Sequence, residues 1–332
     1  MAERVGLSAE RARLRERLGR VGLWSFQLDR LTAAAERQLA GEIDRLGFGS
    51  LWVAEGTASK EALTHSGVLL AATERLVIGT GIASIWARDA TAMASAARYL
   101  AEAFGGRFVL GMGVSHPGAL ARRGHRYERP LTVMRRYLQQ MDEAVLTAPA
   151  PPSGPCRVVA ALRPRMLELA AELTHGAHTY FVPPIHTARA RAILGPDPVL
   201  IPEQAIVMER DAATARAIAR QYTSHYLARE NYRGNLGALG FTGDDLDGAG
   251  SERLVESLVA WGDAAQIVAR VAEHHAAGAD HVVLQILTPS GAISPEDIRA
   301  LAELDGLFSQ LGTAQLPAGK TQGREGRTAG RR

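Results

Sequence analysis

Ten histidines, one cysteine and a scatter of carboxylates are the groups in this 332-residue chain that could do chemistry. The richest segment is Leu110-Gly-Met-Gly-Val-Ser-His116-Pro117, where a hydroxyl and an imidazole follow two alternating glycines. An imidazole with an ordinary pKa near 6.5 trades protons at neutral pH, so His116 is a proton donor or acceptor, or otherwise a plain loop histidine. Glu55 follows the apolar trio Leu51-Trp52-Val53 and reads as an acid/base or hydrogen-bonding carboxylate, or as half of a loop salt bridge. Leu76-Val-Ile-Gly-Thr80-Gly81-Ile82 places small residues where a backbone can approach a flat ligand closely. In Ala161-Leu162-Arg163-Pro164-Arg165 a proline opens a helix beside two arginines, an arrangement suited to a phosphate; solvated arginines are the plainer alternative. His178, Thr179 and Tyr180 add polar groups one loop further on.

Other chemistries find less support. The segment at 111–116 is not GxGxxG, because His116 fills the sixth position and Pro117 follows, so the dinucleotide fingerprint is missing. His274 and His275 are adjacent on a helical pattern and point apart, and no HExxH occurs, so no metal site is expected. No serine sits in GxSxG, and Cys156 lies before an apolar run rather than after one.

These groups need elements to hold them. Eight short apolar runs recur, at 20–24, 50–53, 76–79, 107–111, 157–160, 177–181, 204–208 and 280–285. Runs that are apolar throughout read as strands buried on both faces of a parallel sheet. Amphipathic stretches lie between them, such as Ala35, Leu39, Ile43 and Leu46, or Met93, Ala97, Leu100 and Phe104. Eight alternations predict a (β/α)8 TIM barrel, with an open doubly wound sheet as the structural rival. Longer stretches after the third, fourth and seventh strands predict insertions at the active-site mouth. The expected division is a charged extension over 1–19, one barrel domain over 20–310 with an insertion at about 231–260, and a flexible basic tail over 311–332. In a barrel the reactive face is the C-terminal end of the strands, which is where the candidates above fall. Trp24, Trp52, Ile85, Trp86, Tyr127 and Leu236 are candidate walls of a substrate pocket for a molecule that is not highly charged.

Composition bounds the partners. The net charge is +3, and only Lys60 and Lys320 of the 38 basic residues are lysines. Residues 1–20 carry +3 and residues 320–332 carry +4, so the body between is mildly acidic. A nucleic-acid surface would need a basic folded face, so none is expected. A lone cysteine forms no intrachain disulfide, and no run of about 18 apolar residues appears. A cytoplasmic protein acting on a small molecule, with no membrane segment and homodimeric by the general prior, is the expectation.

The chain resembles the luciferase-like superfamily of barrel oxidoreductases, and within it the coenzyme F420-dependent branch. The resembling segments are Leu51-Trp-Val-Ala-Glu55, Arg75-Leu-Val-Ile-Gly-Thr-Gly81, Gly106-Arg-Phe-Val-Leu-Gly-Met-Gly113, Val159-Ala-Ala-Leu-Arg-Pro-Arg-Met166, Leu169-Ala-Ala-Glu-Leu-Thr-His-Gly176 and Gly278-Ala-Asp-His-Val-Val-Leu-Gln285. They occur in family order over residues 20–310. The resemblance implies a deazaflavin over the barrel mouth, backed by a bulge at Gly81–Ile82 that is often a non-proline cis peptide. It implies ring contacts from Glu55, Thr80, Gly81, Ile82, Gly113 and Ser115, and phosphate contacts from Ala161, Leu162, Arg163, Arg165, His178, Thr179 and Tyr180. Arg163 and Arg165, with Arg189 or Arg191, would meet the acidic tail of F420. Gly56 and His116 stand where sugar-phosphate-oxidising relatives carry histidine and glutamate, which argues against that substrate class. The implied reaction is hydride transfer between C5 of the deazaflavin and a small organic molecule, with His116 or Glu55 handling the proton. The alternatives are an FMN-dependent monooxygenase on the same barrel and a cofactor-free partner subunit.

Overall fold

The computed structural model describes residues 2–151 and 154–311. The chain opens with helix α1 (Ala2–Leu18), then runs β1 (Val21–Ser25), α2 (Ala33–Arg45), β2 (Ser50–Val53), α3 (Ala62–Ala71), β3 (Val77–Thr80) and a two-residue β4 (Ala83–Ser84). It continues through α4 (Ala90–Ala103), β5 (Phe108–Gly113), α5 (Pro117–Arg122), α6 (Pro130–Asp142), β6 (Cys156–Ala160), α7 (Pro164–Leu173), β7 (Gly176–Thr179), α8 (Pro184–Leu194) and β8 (Val199–Val207). The last part comprises α9 (Ala212–Leu227), α10 (Glu230–Ala238), α11 (Glu252–Leu258), β9 (Val259–Trp261), α12 (Ala264–Ala276), β10 (Val282–Ile286) and α13 (Pro295–Leu311).

All strand pairs are parallel, and β1-β2-β3-β5-β6-β7-β8-β10 close into a ring when β10 returns to β1. The ring is the expected (β/α)8 barrel, and its eight strands are the eight apolar runs. Strand β8 is longer than its run: Val199–Pro202 pair with β7, while Glu203–Ile206 pair with β10 to close the barrel. Two short strands extend the sheet at the mouth, β4 beside β5 and β9 beside β8. Helix starts follow side-chain chemistry, with Thr32, Asp89, Asp211, Ser251 and Asp263 accepting from backbone amides at their N-caps. Ser294 and Asp297 do the same reciprocally ahead of α13.

The first helix is not the surface extension that its charge suggests. Leu14 and Leu18 are buried with Val77, Val109, Val158, Val199 and Val283, so α1 closes the N-terminal end of the barrel. Its arginines fix it there. Arg11 donates to the Ala171 and Thr174 carbonyls and pairs with Asp197, Arg15 pairs with Asp280, and Arg17 donates to the Gly105 and Gly106 carbonyls. The tail expected beyond residue 311 lies outside the described residues. Among the described residues no helix is long and apolar enough to cross a membrane, and no group of three metal-ligating side chains converges.

Candidate active site

The mouth of the barrel divides into two halves. Toward β7, β8 and β10 it is covered by the helices between β8 and β9, whose tyrosines pack into an aromatic cluster with Phe181. Toward β3, β5 and β6 it is a half-exposed shelf made by Ile82, Val114, Ser115, His116, Ala160 and Leu162. Trp24 lies under the shelf, its Nε1 donating to the Gly81 carbonyl at 3.0 Å and its ring 5.0 Å from Tyr180.

The Gly81–Ile82 peptide bond is cis, at the position the resemblance implies. Gly81 has no room for a side chain, since a Cβ would lie 2.4 Å from Trp24 Nε1. Gly113 is likewise covered by the Ile82 side chain. These glycines admit protein side chains; Ile82 is what faces outward.

Glu55 is held rather than free. Its carboxylate accepts from the Ser84 amide at 2.7 Å and the Ala62 amide at 3.5 Å, and it pairs with Arg88. It therefore ties the β4 bulge to the start of α3, which is the loop salt bridge that the sequence left open as its alternative.

His116 stands at the edge of the shelf as N-cap of α5, its ring 5.5 Å from that of Tyr232 on α10. Burial and the nearby Arg229 charge push its pKa down to about 4, partly offset by a hydrogen bond donated to the Asn231 side chain. At neutral pH the imidazole is uncharged. It offers a hydrogen bond, not a stored proton, contrary to the ordinary value assumed from sequence.

The helix start at α7 keeps the features of an anion corner. Arg163 is its N-cap without a capping side chain, Pro164 is its first residue, and Arg163 and Arg165 are both exposed. The Arg163 guanidinium lies against α10, where a Cβ on Gly234 would be 2.2 Å from Nη2. Tyr127 is at the exposed rim, close enough for the Arg163 charge to act on its hydroxyl. Trp86 is half-buried, donating to the Val114 carbonyl.

Several residues expected to touch ligand are inside the protein instead. Thr80 is buried and bridges β3 to β5, donating to the Gly111 carbonyl and accepting from its amide. Trp52 is fully buried in the barrel interior, stacked on His178 at 5.3 Å, and Gly79 has no Cβ because this indole occupies the space. His178 donates from Nδ1 to the Ile201 carbonyl, and burial pushes its pKa down to about 4. Thr179 and Ala161 are buried, and the Ala161 amide is used by the His178 carbonyl. Ile85 and Leu236 are core residues, one beside β5 and one inside the insertion. Arg191 binds Asp280 and the Gly278 carbonyl at the opposite end of the barrel, and Arg189 binds the Ala238 carbonyl. On a strand, neighbours point to opposite faces, so strand ends alone do not say which residue faces the mouth.

The sequence reading missed the tyrosine cluster. Tyr222, Tyr226 and Tyr232 crowd around Tyr180, whose hydroxyl is 2.7 Å from that of Tyr226 and 2.7 Å from Gln285 Oε1. Under them lies Glu203, buried on the same face of β8 as Val199 and Ile201. A lone carboxylate within the nine-residue apolar strand Val199–Val207 was the available signal, as was the four-residue spacing of Tyr222 and Tyr226.

Comparison with known proteins agrees with this architecture. Residues 20–281 match the family model described as luciferase-like monooxygenase. Over 137 residues the chain is 31% identical to a Mycobacterium tuberculosis protein assigned as a coenzyme F420-dependent oxidoreductase, covering 41% of this chain and 38% of that one. It is 24% identical over 149 residues to a 5,10-methylenetetrahydromethanopterin reductase of Methanolobus tindarius, covering 40% and 46%. The matches thus span less than half the length of these curated relatives. Among solved structures, an F420-dependent secondary alcohol dehydrogenase bound to an F420-acetone adduct superposes with a TM-score of 0.67 at 14% identity, over 86% of this chain and 97% of that one. The oxygenating constituent of the Pseudomonas putida 3,6-diketocamphane monooxygenase with FMN gives 0.66 at 13% identity, over 86% and 94%. At such identities the superpositions speak for the fold, while the family model covers most of the sequence. The chain belongs to the luciferase-like monooxygenase family.

Proposed function

We propose that this protein is a coenzyme F420-dependent oxidoreductase acting on a small, largely uncharged organic molecule. The observation that carries the reading is one juxtaposition: a half-exposed, mostly apolar shelf over Trp24 lies beside a helix start bearing two exposed arginines. A planar ring with an anionic chain fits such a surface, and the second arginine suits a ligand with more negative charge than one phosphate. Bound there, a deazaflavin would supply the carbon that donates or accepts a hydride.

The chain's own residues would do the rest. Ile82 and Val114 would support the ring, and Arg163 and Arg165 would hold its anionic chain. Tyr232 of α10 would shield the reacting face from water, which strengthens every polar contact inside. His116, uncharged at neutral pH, would orient the substrate heteroatom by a hydrogen bond. The apolar character of Ile82, Val114, Leu162 and Trp86 favours carbonyl, imine or activated-alkene substrates over charged ones. A homodimer acting without a nucleic-acid or membrane partner completes the proposal.

The second reading is an FMN-dependent monooxygenase, favoured by the FMN-bound structural neighbour of nearly equal TM-score. Titration of the protein with oxidised F420 and with FMN, followed by fluorescence quenching, separates the two. Micromolar or tighter F420 binding with weak FMN binding is expected. Preference for FMN would replace the first reading by the second, and binding of neither would favour a cofactor-free partner subunit.

A further inference from the structure

We infer that Glu203 is a proton store for the reaction at the mouth, feeding the Tyr180 hydroxyl through Tyr222 and Tyr226. The inference rests on the hydride-transfer reading above and assigns the accompanying proton.

The geometry is a file of neighbouring hydroxyls leading from a sealed acid toward the shelf. Glu203 is 1% exposed, accepts from the Phe181 amide at 3.2 Å, and lies 3.4 Å from the Tyr222 hydroxyl through both carboxyl oxygens. The Tyr222 and Tyr226 rings pack 4.9 Å apart, so Tyr222 stands between the carboxyl and the Tyr226–Tyr180 hydroxyl pair. Tyr180 donates to Gln285 Oε1, which only accepts, so the Tyr226 hydroxyl donates to Tyr180. The Tyr180 ring, half-buried, then packs between Trp24 at 5.0 Å and Tyr232 at 6.4 Å, at the edge of the shelf on the Tyr232 side.

A purely structural role accounts poorly for the carboxyl. Its contacts to Tyr222 are long, no described cation pairs with it, and an apolar side chain would fill the strand face at less desolvation cost. Burial pushes its pKa up to about 8, so it carries a proton at neutral pH. The groups facing it and its tyrosines are few. His178 on β7 is uncharged, Gln285 on β10 does not titrate, and burial raises the hydroxyls of Tyr222, Tyr226 and Tyr232 on α9 and α10. Arg229 stands 4.9 Å from the Tyr226 ring, with the exposed His225 beside it. Glu203 is thus the most acidic proton in the set.

The balance is simple for a carbonyl substrate. Its carbon gains a hydride, two electrons with one proton, from the reduced deazaflavin, and the C=O π pair becomes the new O–H bond with a proton from Tyr180. Tyr180 recovers that proton from Tyr226 or Tyr222, and the deficit settles on Glu203 until solvent refills it. Tyr180 is the catalytic residue in this scheme; Glu203 and Tyr222 act through it.

Two measurements test this. The first needs no cofactor: thermal stability from pH 6.5 to 9.5. The folded-state pKa lies above the unfolded value, so the folded chain holds a proton that the unfolded chain has lost, and stability falls with pH up to about 8 and then levels. Glu203→Gln should lack that fall, and Tyr222→Phe should extend it to higher pH by removing a donor to the carboxylate. The second is single-turnover reduction against pH with F420 bound. The wild-type rate should drop about tenfold per pH unit above 8, while Glu203→Gln should be roughly 10²-fold slower and flat. Parallel stability curves for wild type and Glu203→Gln would overturn the inference, as would a wild-type rate and profile in Glu203→Gln. Failure to bind either F420 or FMN would sink the functional reading and the relay with it, whereas a failed stability arm alone leaves the functional reading standing.

Discussion

The two ends of the barrel use the same residue types to opposite effect. At the N-terminal end, Arg11, Arg15 and Arg17 of α1 each place a guanidinium on backbone carbonyls or a carboxylate, and Leu14 and Leu18 fill the opening. At the C-terminal end, Arg163 and Arg165 stand exposed at a helix start, and the aromatic rings there carry hydroxyls. Saturated polar groups over an apolar plug make a foundation. Exposed guanidinium donors beside a half-exposed shelf leave polar groups free to meet something outside the chain, which is what the proposed site requires. The same arginine-rich composition therefore says little until each guanidinium is placed.

The contrast breaks most visibly at the foundation. Leu18→Ala should destabilise the fold by about 2–5 kcal/mol, read by denaturant or thermal melts, with F420 affinity unchanged below the transition. A loss of affinity matching the loss of stability would mean that the two ends are coupled rather than separate.

Acid should come next. Burial holds His116, His178 and His275 down at about 4 and His274 and His281 at about 3. In each case the unfolded chain binds protons that the folded chain refuses. Stability should therefore drop as pH falls from about 6.5 toward 4, with a slope of several protons. Replacing the deeply buried His281, which bonds Ser50 and the Gly19 carbonyl near α1, by Gln should lower that slope by about one proton. Melting curves across this range that stay level would contradict the buried neutral imidazoles.

At the mouth, losses of binding should come without losses of stability. Arg163→Ala is expected to weaken F420 roughly tenfold or more while leaving the melting temperature within a degree or two, because the side chain is exposed. An unchanged dissociation constant would remove the anion corner from the argument. The smallest change is Gly234→Ala, whose Cβ would displace the Arg163 guanidinium. Affinity should fall a few-fold even as α10 gains about 0.5–1 kcal/mol of helix stability, a split visible by pairing calorimetry with melts.

Which of these features were legible in the chain follows from physical scale. The eight barrel strands stand out because parallel strands buried on both faces must be apolar throughout, as in Leu76–Gly79 or Phe108–Gly111. Strand β8 begins earlier than its apolar run indicates, since Pro202 and Glu203 interrupt a segment that nevertheless pairs along its length. Strands of two and three residues, β4 and β9, are too short to leave a pattern. Among the candidate residues, His116, Arg163 and the Gly81–Ile82 bulge lie at the mouth, as expected of residues that follow strand ends. Thr80, Trp52, His178 and Thr179 went astray because one residue of register decides between interior and mouth. The tyrosines were lost for another reason: helical spacing looks alike whether a ring fills core or carries a working hydroxyl.

Helix α1 also fixes an order of events during synthesis. Arg15 reaches Asp280 across 265 positions of sequence, and β1 pairs with β10, so the first helix and first strand meet partners made near the end of the barrel. Until residues 280–286 have left the ribosome, the leucines of α1 have no complete opening to fill. This helix, made before every strand whose opening it fills, is therefore among the last of these elements to be buried.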